Sequence, residues 1–163
     1  MDNNDILRRL RFTLNLSDDA MIDMYKKGGV DVMRAEISDW LKKEEDPDYE
    51  EVIDENLATF LNGVIINYRG KQEGQTPIAE TKLNNNIILR KLKIAFNFRS
   101  EDIVRFMKKG GREVSETELS AFFRNPKHAK YVYCNDQYLR AFLKGFQIQR
   151  KDQRERKKHE ERN

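Results

Sequence analysis

The apolar residues of this chain recur at helical spacing, and the pattern occurs twice. Ile6, Leu7, Leu10 and Leu14 stand at i, i+1, i+4 and i+8, one face of a helix. Offset by 82 residues, the chain aligns with itself without a gap. Asn3-Asn4 falls on Asn85-Asn86, and Ile6, Leu7, Arg8 and Leu10 fall on Ile88, Leu89, Arg90 and Leu92. Lys26-Lys27-Gly28-Gly29 falls on Lys108-Lys109-Gly110-Gly111, and Tyr49, Asp54 and Leu57 on Tyr131, Asp136 and Leu139. Phe60, Leu61 and Gly63 meet Phe142, Leu143 and Gly145. About 20 identities over residues 3–66 against 85–148 indicate a duplication. Two copies are too few for a solenoid. The expectation is an all-α chain of two tandem four-helix repeats related by pseudo-two-fold symmetry.

The first helix of each copy begins at the Asn pair, which suits a cap. Asp18 and Ser100 share a repeat position, and both suit the N-cap of a second helix. In copy two that helix carries Ile103, Val104, Phe106 and Met107. Gly28-Gly29 and Gly110-Gly111 end it, since glycine takes the left-handed conformation a C-cap needs. Ser115-Glu116-Thr117-Glu118 is a capping box for the third helix. The apolar face of that helix is Leu119, Phe122 and Phe123, matched by Ile37, Trp40 and Leu41. The fourth helix opens near Asp54 or Asp136, acids that helix starts favour. It carries Phe60, Leu61 and Val64, or Phe142, Leu143 and Phe146. Copy one is thus residues 1–66 and copy two residues 85–148. Residues 67–84, with two glycines, a proline and little apolar matter, read as a polar linker. Residues 149–163 contain no apolar residue and read as a charged tail, a helical extension supported by pairs such as Asp152→Arg156.

Composition narrows the class. Charged residues make up 36% and apolar ones 38%, very polar for a folded protein, yet 10% aromatics argue against disorder. No apolar run approaches the roughly 18 residues of a membrane span, so no membrane is expected. The N-terminus lacks the order of a secretory signal, and Cys134 is the only cysteine. A cytoplasmic setting follows as an expectation.

Both halves resemble the YehS-like bacterial proteins of unknown function. The residues that carry the likeness are NNDILRRLR, then KKGG, then Tyr-x4-Asp-x2-Leu-x2-Phe-Leu-x-Gly in each copy. The resemblance implies a duplicated helical fold and a bacterial cytoplasmic setting, and it brings no activity, cofactor or catalytic residue. The family tends to place a Cys two residues before the fourth-helix Asp. Copy two keeps it as Cys134, while copy one has Val52, so no disulfide or two-cysteine metal role is implied.

Charge separates the copies. Residues 1–66 hold eight Lys and Arg against sixteen Asp and Glu, whereas 85–148 hold thirteen against six. The tail adds seven against four. The contrast peaks before the fourth helix, where KKEEDPDYEEVIDE in copy one faces RNPKHAKYVYCNDQ in copy two. Tyr131 matches Tyr49 and belongs to the scaffold, but Tyr133 and Tyr138 replace Glu51 and Asn56. Basic groups among aromatics suit single-stranded RNA or DNA, the charges meeting phosphates and the rings stacking on bases. The candidate set is Arg124, Lys127, Lys130, Tyr133 and Tyr138 with Arg150, Lys151, Arg154, Lys157 and Lys158. The competing reading is a protein-interaction module whose basic loop faces an acidic segment of its own chain, of another protein or of a second copy. Tyr133 and Tyr138 have a core reading of their own, since aromatics near helix starts often pack.

Other chemistry finds little support. Helix two, the Gly pair and helix three loosely resemble a helix-turn-helix, yet Glu113, Glu116 and Glu118 would repel duplex phosphates. The lysines precede the glycines, the reverse of a P-loop. His128 and His159 stand in a loop and in the tail, with no triad or zinc spacing. Neither enzymatic activity, a metal nor any cofactor is expected.

Overall fold

The computed structural model describes residues 1–71 and 77–162; of the expected linker, residues 72–76 lie outside the described residues. Among the described residues there are eight helices and no strand. Copy one supplies α1 (Asn3–Leu14), α2 (Asp18–Lys27), α3 (Arg34–Leu41) and α4 (Asp54–Arg69), and copy two α5 (Asn85–Phe96), α6 (Ser100–Lys109), α7 (Glu116–Phe122) and α8 (Asp136–Arg162). The helix order is the same in both halves. The apolar faces read from the pattern are the core: Ile6, Leu7, Leu10, Ile37, Phe60, Leu61, Ile103, Leu119, Phe142 and Phe146 are at most 2% exposed. Burying each such side chain contributes about 1.5–3 kcal/mol. α8 continues without a break from the fourth helix of copy two through the charged tail.

The copies interlock. α1 lies chiefly along α8, and α5 along α4, so each copy's first helix packs on the other copy's last. Both pairs are parallel. Leu83 N donates to Asp54 Oδ2 at 2.8 Å where α4 and α5 begin, and farther along Lys91 Nζ meets Asn62 Oδ1 at 2.6 Å. The Met1 amino group meets Asp136 Oδ2 at 3.0 Å where α1 and α8 begin, and Arg154 Nη1 reaches Thr13 O at 2.9 Å. Asn3 and Asn85 complete the arrangement by donating to Asp54 and Asp136 at 2.7 and 2.8 Å. Four helix starts therefore gather at one end, and two carboxylates offset their positive dipoles. Tyr68 and Arg150 are repeat equivalents, and the Arg150 guanidinium lies 5.9 Å from the Tyr68 ring centre. Equivalent residues meet only near a symmetry axis, so the pseudo-dyad passes there.

Several caps differ from expectation. Asp2 and Asn84, one residue before each Asn pair, cap α1 and α5. Ser17 caps α2, and Asp18 pairs instead with Arg11 and Arg34. Arg99, not Ser100, is the N-cap of α6, where the Asp102 carboxylate accepts from Arg99 N at 2.8 Å. Asp54 and Asp136 bridge helices rather than cap their own. The glycine pairs divide two tasks. Gly29 and Gly111 take φ of 101°, as a chain reversal requires. Gly28 and Gly110 have ordinary helical angles, but a Cβ there would overlap the carbonyl of Thr59 or Ala141 on the crossing fourth helix.

Candidate nucleic-acid interface

The two divergent loops, 42–53 and 124–135, are held by the same device. Asn86, 5% exposed in the first turn of α5, donates to Phe122 O and Val132 O and accepts from Cys134 N, each at 2.9 Å. Asn4 does the same in copy one with Trp40 O, Glu50 O and Val52 N. A primary amide is a neutral group that offers both two donors and an acceptor, and asparagine carries it on a short stem. Both loops thus flank the end where the four helix starts gather.

On that common frame the chemistry inverts. In copy one Lys42 is ringed by acids, with Asp39 at 2.7 Å and Asp48 at 3.8 Å. Its equivalent is Arg124, and the two acids become Ala121 and Lys130. Arg124 keeps a buried Nε with no hydrogen-bond partner among the described residues, and no ion pair. Lys127 and Lys130 are exposed; their backbone N–H groups donate to Asn125 Oδ1 and His128 Nδ1, which shapes the loop. Among the described residues no ion pair joins this loop to the acidic segment 44–55. Tyr133 is 54% exposed. Desolvation, and then the Asp136 charge, push its hydroxyl above its ordinary value. Tyr131 and Tyr49 are both half-buried, in keeping with a shared scaffold role.

Tyr138 does not belong with them. It packs against the core, with its ring 5.2 Å from Phe122 and the Arg112 guanidinium 4.4 Å from its ring centre. Its counterpart in copy one is a pair exchange. There Tyr25 on the second helix sends its ring to Trp40 at 5.3 Å and its hydroxyl to Asn56 at 2.6 Å. Tyr25 aligns with Met107 and Asn56 with Tyr138. The ring beside the third helix comes from the second helix in one copy and from the fourth in the other. Tyr138 thus takes the core alternative of the sequence reading, a role that position-by-position matching of the repeats does not show.

The tail residues also separate. At 1.5 Å rise per residue, Lys151 stands about 22 Å and Lys158 about 33 Å along α8 from its start, far from the loop at its opening. Arg150 is spent on the Tyr68 and Phe96 rings, and Arg154 on Thr13 O. Lys151, Lys157 and Lys158 are exposed. Arg154 lines a groove of about 490 Å3 with Arg8, Arg11 and Phe12, a site the charge count of copy one concealed because α1 is locally basic within an acidic half. Phe12 there is 63% exposed. Arg8 and Arg11 are already matched by Asp5 and Asp18, and Arg154, held on the Thr13 carbonyl, is the one groove arginine without an ion pair among the described residues. Cys134 is fully buried, and burial pushes its thiol up to about 12, which fits a packing role. No described helix is long and apolar enough to cross a membrane.

The comparisons with known proteins agree with the duplication. The family described as "Protein of unknown function (DUF1456)" matches residues 3–70 and again 85–152. The chain is 37% identical over 146 residues to the uncharacterized protein YehS of Escherichia coli (strain K12), covering 89% of this chain and 94% of the relative. No solved structure matches. The YehS-like resemblance read from the two NN…KKGG copies is thereby established, and the chain belongs to the DUF1456 family as a tandem pair of its repeat.

Proposed function

We propose that this chain is a non-enzymatic binding protein that holds single-stranded RNA or DNA on the loop 124–135. The observation that carries the reading is Arg124. Its copy-one equivalent is neutralised by two aspartates, and its own position has lost both while keeping a cation with an unpartnered buried nitrogen. A guanidinium without an internal acid partner suits an external anion, and phosphate accepts its forked donors well. Lys127 and Lys130 extend the charge, and Tyr133 supplies an exposed ring for a base to stack on. Tyr138, Arg150 and Arg154 leave the proposed set because they are committed within the fold. The tail lysines remain only as a separate, distant attraction.

The test is fluorescence anisotropy with labelled single-stranded and duplex oligonucleotides of one sequence. Tyr133→Ala should weaken single-strand binding by about 1–3 kcal/mol, the usual worth of one stacked base, and leave any duplex binding unchanged. Equal losses on both, or loss only when Phe12 and Arg154 are replaced, would move the site away from this loop.

A further inference from the structure

The same repeat logic, applied to the opposite change, identifies a second site on copy one. In copy two the Arg112 guanidinium lies over the Tyr138 ring at 4.4 Å and donates through Nη1 to Gln137 Oε1 at 2.6 Å. In copy one Arg112 becomes Val30, Gln137 becomes Glu55 and Tyr138 becomes Asn56. The element that receives a guanidinium has gained a full negative charge, and the guanidinium itself is gone. With the smaller Asn56 in place of a tyrosine, a cleft of about 250 Å3 opens between α2, α3 and α4, with Tyr25 and Trp40 among its lining residues.

Its remaining features match one kind of occupant. Asp31, Glu36 and Glu55 stand at its margin. Asp31 and Glu55 have no ion pair among the described residues, while Glu36 already accepts from Met33 N. Val30 and Ile53, 46% and 61% exposed, offer apolar surface suited to the methylene stem of a long cationic side chain. An aromatic ring beside carboxylates favours a guanidinium, which is weakly hydrated and stacks on Trp and Tyr. The space suits one side chain rather than a drug-sized ligand. Copy one carries a large negative excess, which adds long-range attraction for a basic chain.

We infer that this copy-one cleft receives an arginine side chain presented by a partner polypeptide, its guanidinium against Glu55 and beside the Trp40 ring. The partner's arginine then occupies the place that Arg112 fills internally in copy two. This inference is independent of the nucleic-acid reading, which concerns the other copy.

Trp40 is the only tryptophan of the chain, so its emission reports on this cleft alone. The probes are the acetylated and amidated peptide Gly-Arg-Gly, the same peptide with citrulline, and methylguanidinium. The arginine peptide should change Trp40 emission saturably, and the isosteric, uncharged citrulline peptide should not. Glu55→Gln should weaken the response about tenfold, near 1.4 kcal/mol. Val30→Arg, at an exposed position, should supply the guanidinium internally and abolish the response while the helical circular dichroism is unchanged. The exchange Tyr25→Met with Asn56→Tyr should abolish it too, by rebuilding the copy-two packing. A citrulline response equal to that of arginine would overturn the inference, as would a Val30→Arg protein that responds like the parent. An equal response to methylguanidinium would replace the polypeptide with a small cation. Self-association lost on Val30→Arg would replace the partner with a second copy.

Discussion

Asn86→Ala should be among the most damaging single changes on the polar side of the fold. The side chain is 5% exposed and spans the first turn of α5 and the loop 124–135. Removing it strands Cys134 N, a buried donor, and takes a partner from the buried carbonyl of Phe122. The Val132 carbonyl lies on an exposed residue, so water replaces that bond at little cost. Each stranded buried group costs about 1–3 kcal/mol. Partial water entry lowers the sum, and about 3 kcal/mol is expected. For a chain of this length each kcal/mol shifts Tm by about 2–4 °C, so the midpoint should fall by about 6–12 °C. Asn86→Asp is the sharper control. It keeps an acceptor for Cys134 N but turns the double donor into an anionic oxygen facing two carbonyls, so it should cost at least as much. Asn4→Ala should cost somewhat less than Asn86→Ala, since of its three equivalent bonds only the one from Val52 N is fully buried. Urea and thermal unfolding followed by circular dichroism measure all three. If both Asn86 variants stay within about 1 kcal/mol of the parent, the amides do not hold the loops and the reasoning fails.

Gly29→Ala should cost about 1 kcal/mol through its positive φ alone, whereas Gly28→Ala should cost about 1–3 kcal/mol by pushing α2 off the Thr59 carbonyl; urea midpoints of the two variants would invert if the close approach is unimportant. The Asp136 carboxyl is held below its ordinary value, first by the Asn85 hydrogen bond and then by the Met1 amino group. A lowered folded-state value stabilises above the unfolded pKa of about 3.9 and is lost as pH falls through the folded value. The stability gap between the parent and Asp136→Asn should therefore close on acidification from pH 7, and a gap that widens would show the opposite sign.

What the sequence made legible was whatever both copies share. Leu10 with Leu92 and Phe60 with Phe142 mark the core because periodicity and repetition agree. The glycine pairs marked a reversal for the same reason, although the pattern did not reveal that one glycine of each pair serves helix crossing. Tyr138 shows where comparison by position fails. Packing conserves the occupied volume, not the residue that fills it, so the Tyr25–Asn56 and Met107–Tyr138 exchange looked like a gained aromatic. Asp54 and Asp136 were misread because a helix-start acid is ordinarily a local cap. Only the parallel pairing of α4 with α5 and of α1 with α8 turns them into bridges, and that pairing leaves no trace in local spacing. The separation of the loop from the tail was hidden similarly, since nearness in sequence to α8 says nothing until its 27 residues form one rod.

The central functional claim is that Arg124, Lys127 and Lys130 meet phosphates, and the salt dependence of oligonucleotide binding tests it most directly. Each phosphate contact on a single strand contributes a slope of about −0.7 to log K against log salt. With three contacts the full-length protein should show a slope of about −2, and the Lys127→Ala, Lys130→Ala double variant a slope of about −0.7 with weaker binding at every salt concentration. An unchanged slope in the double variant, or no saturable binding by the parent protein at low salt, would contradict the account.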